Sequence, residues 1–76
     1  GETYEVIVGV YTTQQNAERF RRENGLTAAQ AEIFEMYLSG KYMVSVGGFP
    51  TNAGADRELQ QWKSKFPGVW VMKRRR

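Results

Sequence analysis

The chain repeats itself once, and this internal repeat limits what it can fold into. When the 76-residue sequence is shifted by 38 positions, residues 4–11 align on residues 42–49 without a gap. A segment that recurs in one register indicates a single supersecondary unit used twice. Three further identities keep the same register: Thr13 with Thr51, Ala17 with Ala55, and Arg19 with Arg57.

Each copy of the repeat opens with the pattern of a strand. In residues 4–8, β-branched and aromatic side chains occupy every second position, and residues 42–46 alternate in the same way. This period of two is typical of a strand with one face packed. The glycine that follows each segment, Gly9 or Gly47, predicts the end of the strand at a bulge or tight turn.

A helix is predicted after each strand. Thr12 or Thr13 is expected to cap the first helix, and Thr51 or Asn52 the second, because hydroxyl and amide oxygens accept the free N–H groups of a first turn. The first helix turns Ala17 and Phe20 inward and ends at Asn24-Gly25, and Pro67-Gly68 ends the second. The second helix has an apolar stripe, expected to lie in the core, of Ala55, Leu59, Trp62 and Phe66.

Two more strands complete the predicted fold. Residues 31–38 form the second strand, Ser39-Gly40 turns the chain back into the third, and residues 69–73 form the fourth. The order β-α-β-β-α-β, with right-handed crossovers, predicts an α+β fold in which two helices cover one face of a four-stranded antiparallel sheet. The whole chain, residues 1–76, is predicted to be one domain with a core of about residues 4–73.

The charge is distributed unevenly along the chain. Eleven basic residues oppose eight acidic ones, for a net charge of +3, but four of the eleven form the terminal run 73–76. We therefore interpret residues 73–76 as a basic tail on a nearly neutral body. A domain that wraps a phosphate backbone usually spreads positive charge over its folded surface, so nucleic-acid binding is not expected.

The composition also limits the chemistry. The chain has no cysteine and no histidine, which excludes disulfides, thiol or imidazole metal ligands, and Cys or His catalysis. Glu32 and Glu35 would point to opposite faces of a strand, so they do not form a catalytic carboxylate pair. No enzyme, cofactor or metal site is predicted, and no apolar run approaches the roughly 20 residues that a membrane span needs.

Two helices on one face leave the other face of the sheet uncovered. If Ile33, Val69 and Val71 point toward the helices, the uncovered face is apolar. An inverted register that buries Trp70 is the alternative. Such a surface predicts a partner, which could be sugar rings, unstacked bases or a second protein. The predicted face carries Ile7, Phe34, Met36, Met43, Trp70 and Met72.

The repeated motif resembles that of a known family. Tyr-x-Val-x-Val-Gly-x-aromatic, with an alanine about six residues later, occurs at residues 4–11 and again at residues 42–49. Both copies resemble the SPOR (sporulation-related repeat) domain, and the closing residues 66–73 look like the ending of Bacteroidetes-like members. The resemblance covers about residues 4–73, with Ile7 and Val10 standing where the family has glutamine and serine.

The resemblance implies a ferredoxin-like, RNP-like fold and a function. SPOR-like domains are expected to bind peptidoglycan glycan strands that lack stem peptides, in the bacterial cell envelope and at division sites. The parent protein would be exported or membrane-anchored, and the domain itself a monomer or weak dimer. Removal of the stem peptide leaves a lactyl carboxylate, for which Lys41, Lys73 and Arg74 are candidate partners.

Ten residues are candidates for the glycan site. They combine the apolar side chains of the uncovered face with polar and glycine positions that could serve the edges of sugar rings. They are Ile7, Gly9, Phe34, Met43, Ser45, Gly47, Gly48, Trp70, Met72 and Lys73.

Two other functions remain as alternatives. A protein-interaction or dimerisation module could use the same apolar face. RRM domains, which bind RNA, share the element order, but their third strand carries stacking aromatic residues where this chain has Met43 and Ser45.

Overall fold

Six elements follow one another in the computed structural model, which describes residues 1–76. The sheet has the order β2-β3-β1-β4 and every neighbouring pair is antiparallel. The predicted β-α-β-β-α-β order and α+β ferredoxin-like fold are confirmed. The elements are β1 (Glu2–Tyr11), α1 (Gln14–Glu23), β2 (Glu32–Glu35), β3 (Tyr42–Phe49), α2 (Asn52–Trp62) and β4 (Trp70–Arg75).

Both helices begin at a threonine cap. The Oγ1 atoms of Thr13 and Thr51 accept hydrogen bonds from the backbone N–H groups of Asn16 and Gly54, each at 3.1 Å. Each bond satisfies a donor that the first helical turn leaves free. The first helix ends as predicted, because Gly25 follows it with a φ of +68°, a left-handed conformation that glycine adopts without strain.

The main core lies between the helices and the sheet. Its buried members come from the first helix, the third strand and the connecting loops: Ala17, Leu26, Ala31, Val44 and Phe66. Trp62 packs against this cluster, as predicted, and its indole N–H donates to Glu58 at 2.8 Å. The second helix ends at Trp62, earlier than Pro67-Gly68 predicts, because a turn closed by the Phe66 N–H and the Trp62 carbonyl (2.8 Å) brings Phe66 back into the core.

The first and third strands do not end at their glycines. Their pairing shifts register between Glu5 and Ile7 and again between Ile7 and Gly9, so bulges are present as predicted. Both strands nevertheless run on, to Tyr11 and Phe49. A bulge adds a residue on one strand and reverses which face the following side chains occupy.

These bulges explain the spacing of the Gly-x-aromatic motif. A Cβ atom on Gly9 would lie 2.9 Å from Cε2 of Tyr11, and one on Gly47 would lie 2.9 Å from Cε2 of Phe49. Real Cβ atoms are not found so close to another carbon, so each aromatic ring occupies the space that a side chain on the glycine would need. Tyr11 then packs against Phe20 of α1, with ring centroids 5.4 Å apart.

The second strand is shorter and the fourth longer than predicted. β2 stops at Glu35, and Leu38 turns the chain with a φ of +80° and a 92% exposed side chain. β4 continues through Arg75, and its last residues pair with Glu2 and Thr3. The interpretation of residues 73–76 as a tail is therefore wrong for residues 73–75, which are part of the sheet.

Candidate functional site

The face of the sheet away from the helices carries a second, smaller apolar cluster. We call this surface the open face. Ile7, Phe34 and Met43 are buried there, with Met36 and Met72 packed around them. Ile33 and Val69 lie in the main core on the opposite side. The predicted register of β2 and β4 is thus confirmed, and the inverted register is wrong.

Trp70 is the exposed aromatic side chain of the open face. Its Cα pairs with that of Ile7, and residues paired across strands share a face. The side chain is 43% exposed, whereas Ile7 beside it is fully buried. The open face therefore presents one indole ring to solvent next to buried apolar side chains.

Seven of the ten candidate residues lie on the open face, and three do not. Gly9 and Gly47 face the helix side, because the bulges turn them toward the rings of Tyr11 and Phe49. Lys73 pairs with Tyr4, one position out of phase with Met72, and its Nζ lies 5.8 Å from the Tyr4 ring centroid. The seven on the open face are Ile7, Phe34, Met43, Ser45, Gly48, Trp70 and Met72.

Ser45 does not offer a free hydroxyl to a ligand. It is 2% exposed and its Oγ donates to Oε1 of Glu5 at 2.7 Å. Glu5 is only 1% exposed, and its Oε2 accepts from the Thr3 hydroxyl at 2.5 Å. A buried carboxylate needs such partners, since an unpaired one is very costly. Ser45 therefore stabilises Glu5 rather than forming part of an accessible surface.

Two arginines and a glutamate form a cluster of charged side chains on the open face. The Arg74 guanidinium carbon lies 3.7 Å from the Phe34 ring centroid, and its Nη1 lies 3.1 Å from Oε1 of Glu32. Nη2 of Arg76 lies 3.4 Å from the same Glu32 oxygen and 3.6 Å from Oε2 of Glu5. We call Arg74, Arg76 and Glu32 the arginine bridge.

The arginine bridge connects the two edge strands. Glu32 belongs to β2 and Arg74 to β4, with β1 and β3 between them. Long side chains of this kind lie along apolar surface while keeping their charged ends near water. Ile7, Phe34 and Met43 are buried on a face that no helix packs against, with Met36 and Met72 packed around them. The expectation of an uncovered apolar face is therefore wrong in part.

Sequence reasoning named Arg74 as a carboxylate partner but missed the arginine bridge, because residues 73–76 were interpreted as a basic tail. The alternation of β4, once extended past Lys73, places Arg74 on the same face as Trp70 and Met72. A cleft of about 330 Å³ remains beside the bridge, between the ends of β2 and β4, with Met36 and Met72 in its lining. The open face thus combines an indole ring, guanidinium groups and a cleft.

This arrangement is that of a binding surface. An antiparallel βαββαβ sheet with an aromatic side chain and cations on its free face can hold a flat, polar ligand. None of the helices is long and apolar enough to cross a membrane.

Comparison with known families agrees with the interpretation of this chain as a binding domain. The family model of the SPOR domain matches residues 1–73. The chain belongs to the SPOR domain family, which confirms the predicted resemblance. SPOR domains are peptidoglycan-binding modules and not a catalytic family, so membership supports binding to the cell wall. No curated protein and no solved structure matches the chain.

Proposed function

We propose that the domain binds peptidoglycan glycan strands that lack stem peptides, and that it does so at the open face. The observation that carries the proposal is the presence of three side chains on the open face: Trp70 and Arg74 in β4, and Arg76 directly after it. The indole ring offers a flat apolar surface, and the guanidinium groups offer hydrogen-bond donors.

The spacing along β4 suits an extended ligand. Trp70 and Arg74 are four residues apart in a strand, which corresponds to about 13 Å at roughly 3.3 Å per residue. This is longer than one sugar ring, so a single ligand that reaches both must be an oligosaccharide. The C–H face of one ring would lie on Trp70, and the polar edges of the next would meet the guanidinium groups.

The charge of the open face supports a preference for strands without stem peptides. A stem peptide is attached to the muramic acid through an amide, which is neutral and bulky. Its removal leaves a carboxylate, and arginine pairs with carboxylates through two parallel N–H donors. Arg74, 20% exposed at its side chain, and Arg76, 48% exposed, are within reach of such a group.

The family supports a location at the extracytoplasmic side of a bacterial envelope. SPOR domains occur in cell-envelope and division proteins. We infer that this domain works within an exported or membrane-anchored parent during division or wall remodelling. The Bacteroidetes-like ending, residues 66–73, remains a prediction about the source of the chain.

The burial of the apolar residues of the open face weakens the alternative of an apolar dimerisation module. Ile7 and Met43 are 0% and 4% exposed, which leaves mainly Trp70 and Val10 as exposed apolar groups near them. RNA binding is not favoured either, since the third strand has Met43 and Ser45 where RNA-binding domains with this element order carry stacking aromatic residues.

Sedimentation with isolated sacculi tests the proposal. The wild-type domain should be retained more strongly by sacculi treated with an amidase than by untreated ones. Trp70→Ala should weaken this retention at least about fivefold, since truncation of a central aromatic contact typically costs more than 1 kcal/mol. Its control is Leu38→Ala, which removes a more exposed apolar side chain from the β2–β3 turn.

Three outcomes would count against the proposal. Equal retention on treated and untreated sacculi would remove the preference for strands without stem peptides. Full retention of a folded Trp70→Ala variant would move the site away from the open face. Concentration-dependent light scattering with no retention at all would favour the dimerisation alternative.

A further inference from the structure

The two carboxylates beside the arginines are held in different ways. Glu5 is buried, and the hydroxyls of Thr3 and Ser45 bond to its two oxygens. The Glu32 side chain is 50% exposed, and its hydrogen-bond and ion-pair partners are Arg74 and Arg76. Glu5 is therefore fixed by the fold, whereas Glu32 can leave the arginines without opening the core.

The two guanidinium groups are held in place independently of Glu32. Arg74 stacks on the ring of Phe34, and the Nε of Arg76 donates to the Thr3 hydroxyl at 3.3 Å. Both then converge on a single oxygen, Oε1 of Glu32, at 3.1 and 3.4 Å. This is the geometry of a preformed carboxylate-binding site that the protein's own glutamate occupies.

We propose that Glu32 stands in for a ligand carboxylate and competes with it for Arg74 and Arg76. Glu32 is then a specificity-determining residue, because only a ligand that supplies an anionic group such as a carboxylate restores the charge balance of the displaced pair. The muramic carboxylate of a strand without stem peptides fits this requirement, so the proposal rests on the proposed function. A neutral sugar polymer does not fit it.

The exchange is energetically accessible. Ion pairs with exposed partners contribute little to stability, because solvent screens them and their side chains lose entropy. Displacement of Glu32 leaves its carboxylate in water, where it is well solvated. Arg74 and Arg76 lie just beyond residues 1–73, the segment that matches the family.

Binding to two kinds of sacculi and to a neutral polymer tests the competition. Glu32→Gln should bind amidase-treated sacculi about three- to fivefold more tightly than wild type, the ratio expected from the loss of one surface ion pair. Its binding to untreated sacculi and to chitin oligosaccharides should not change. The matched control is Glu35→Gln, which makes the same charge change in the same strand. Glu35 shares a face of β2 with Ile33, on the helix side and away from the arginines.

A titration that does not depend on sacculi separates this proposal from the proposed function. The side-chain Nε–H signals of Arg74 and Arg76 are followed by NMR during addition of N-acetylmuramic acid, with N-acetylglucosamine as the neutral probe. In Glu32→Gln both signals should shift with the acid and not with the neutral sugar, at lower concentration than in wild type.

The outcomes are distinct. A Glu32→Gln variant that binds treated sacculi no better than wild type, or that gains equally on chitin oligosaccharides, overturns the competition while leaving the proposed function intact. Arginine signals that do not respond to N-acetylmuramic acid overturn it as well. Loss of all sacculus binding by wild type, with the arginine response present, refutes the proposed function and supports the carboxylate site alone.

Discussion

Substitution Ser45→Ala removes the hydroxyl that donates to the buried Glu5 carboxylate. Both residues lie in the two central strands, at 2% and 1% exposure, and the O···O distance is 2.7 Å. Alanine is smaller, so no steric clash accompanies the change. The same oxygen also accepts the Gly47 N–H at 3.3 Å, a weaker contact within the bulge.

The expected loss is about 2 kcal/mol. Hydrogen bonds to charged groups contribute roughly 1.5–3 kcal/mol, and the carboxylate that loses one here cannot exchange it for water. At roughly 0.1 kcal/mol per residue, a chain of this length has only about 8 kcal/mol of stability. A loss of about 2 kcal/mol should therefore lower Tm by about 10 °C.

Urea unfolding and thermal unfolding of the two proteins measure this difference. The control is Ser64→Ala, which removes an exposed hydroxyl just after α2 and should change stability by less than about 0.5 kcal/mol. A double-mutant cycle with Glu5→Gln assigns the effect to the pair, with an expected coupling of about 1 kcal/mol.

A Ser45→Ala loss no larger than that of Ser64→Ala would refute the reasoning. It would mean that the buried Glu5 carboxylate is held by Thr3 and Arg76 without help from Ser45. A large loss that persists unchanged in the Glu5→Gln background would also refute it, because the hydroxyl would then act on some other group.

Two further predictions concern stability. Gly48→Ala should destabilise the domain by about 1–3 kcal/mol in urea unfolding, because the added Cβ would collide with the carboxylate of Glu5 and the hydrogen bonds of that carboxylate prevent an easy shift. The control Gly68→Ala, with nothing within 4 Å of its Cβ, should leave the stability nearly unchanged. Burial, and secondarily the charge of Glu23, raises the pKa of Tyr11 above its ordinary 10.0. The Tyr11 phenol makes its full contribution to stability below about pH 10, and this contribution is lost as the pH rises through the folded-state pKa. Tyr11→Phe should therefore reduce the fall of the unfolding free energy at alkaline pH. An unchanged slope of unfolding free energy against pH would contradict this.

Much of the fold was predictable because its signals are local. The alternation in residues 4–8 and 42–46 reports which side chains share a face, and a threonine cap is a property of one turn. The pairing of β1 with β3 has a simple relation to the repeat. Ile7 pairs with Ser45, which is also the residue 38 positions later in the sequence, so the two copies meet at that pair.

Part of the candidate site was not predictable, because it depends on contacts that are not local in the sequence. Alternation continues to predict a face only until a bulge occurs, and the bulges moved Gly9 and Gly47 to the helix side. No local pattern reports that Glu5 and Ser45, 40 residues apart, form a buried hydrogen bond. Such a bond exists only once both strands are aligned.

The sequence by itself determined the element order, the helix-side core and the apolar residues of the open face, because periodicity and capping act over a few residues. Only the tertiary structure decided which charged side chains lie together on that face. The arginine bridge joins β2 to β4, the two outer strands, across a separation of 42 residues in the chain. Contacts of that kind depend on sheet curvature and side-chain reach, which no single segment encodes.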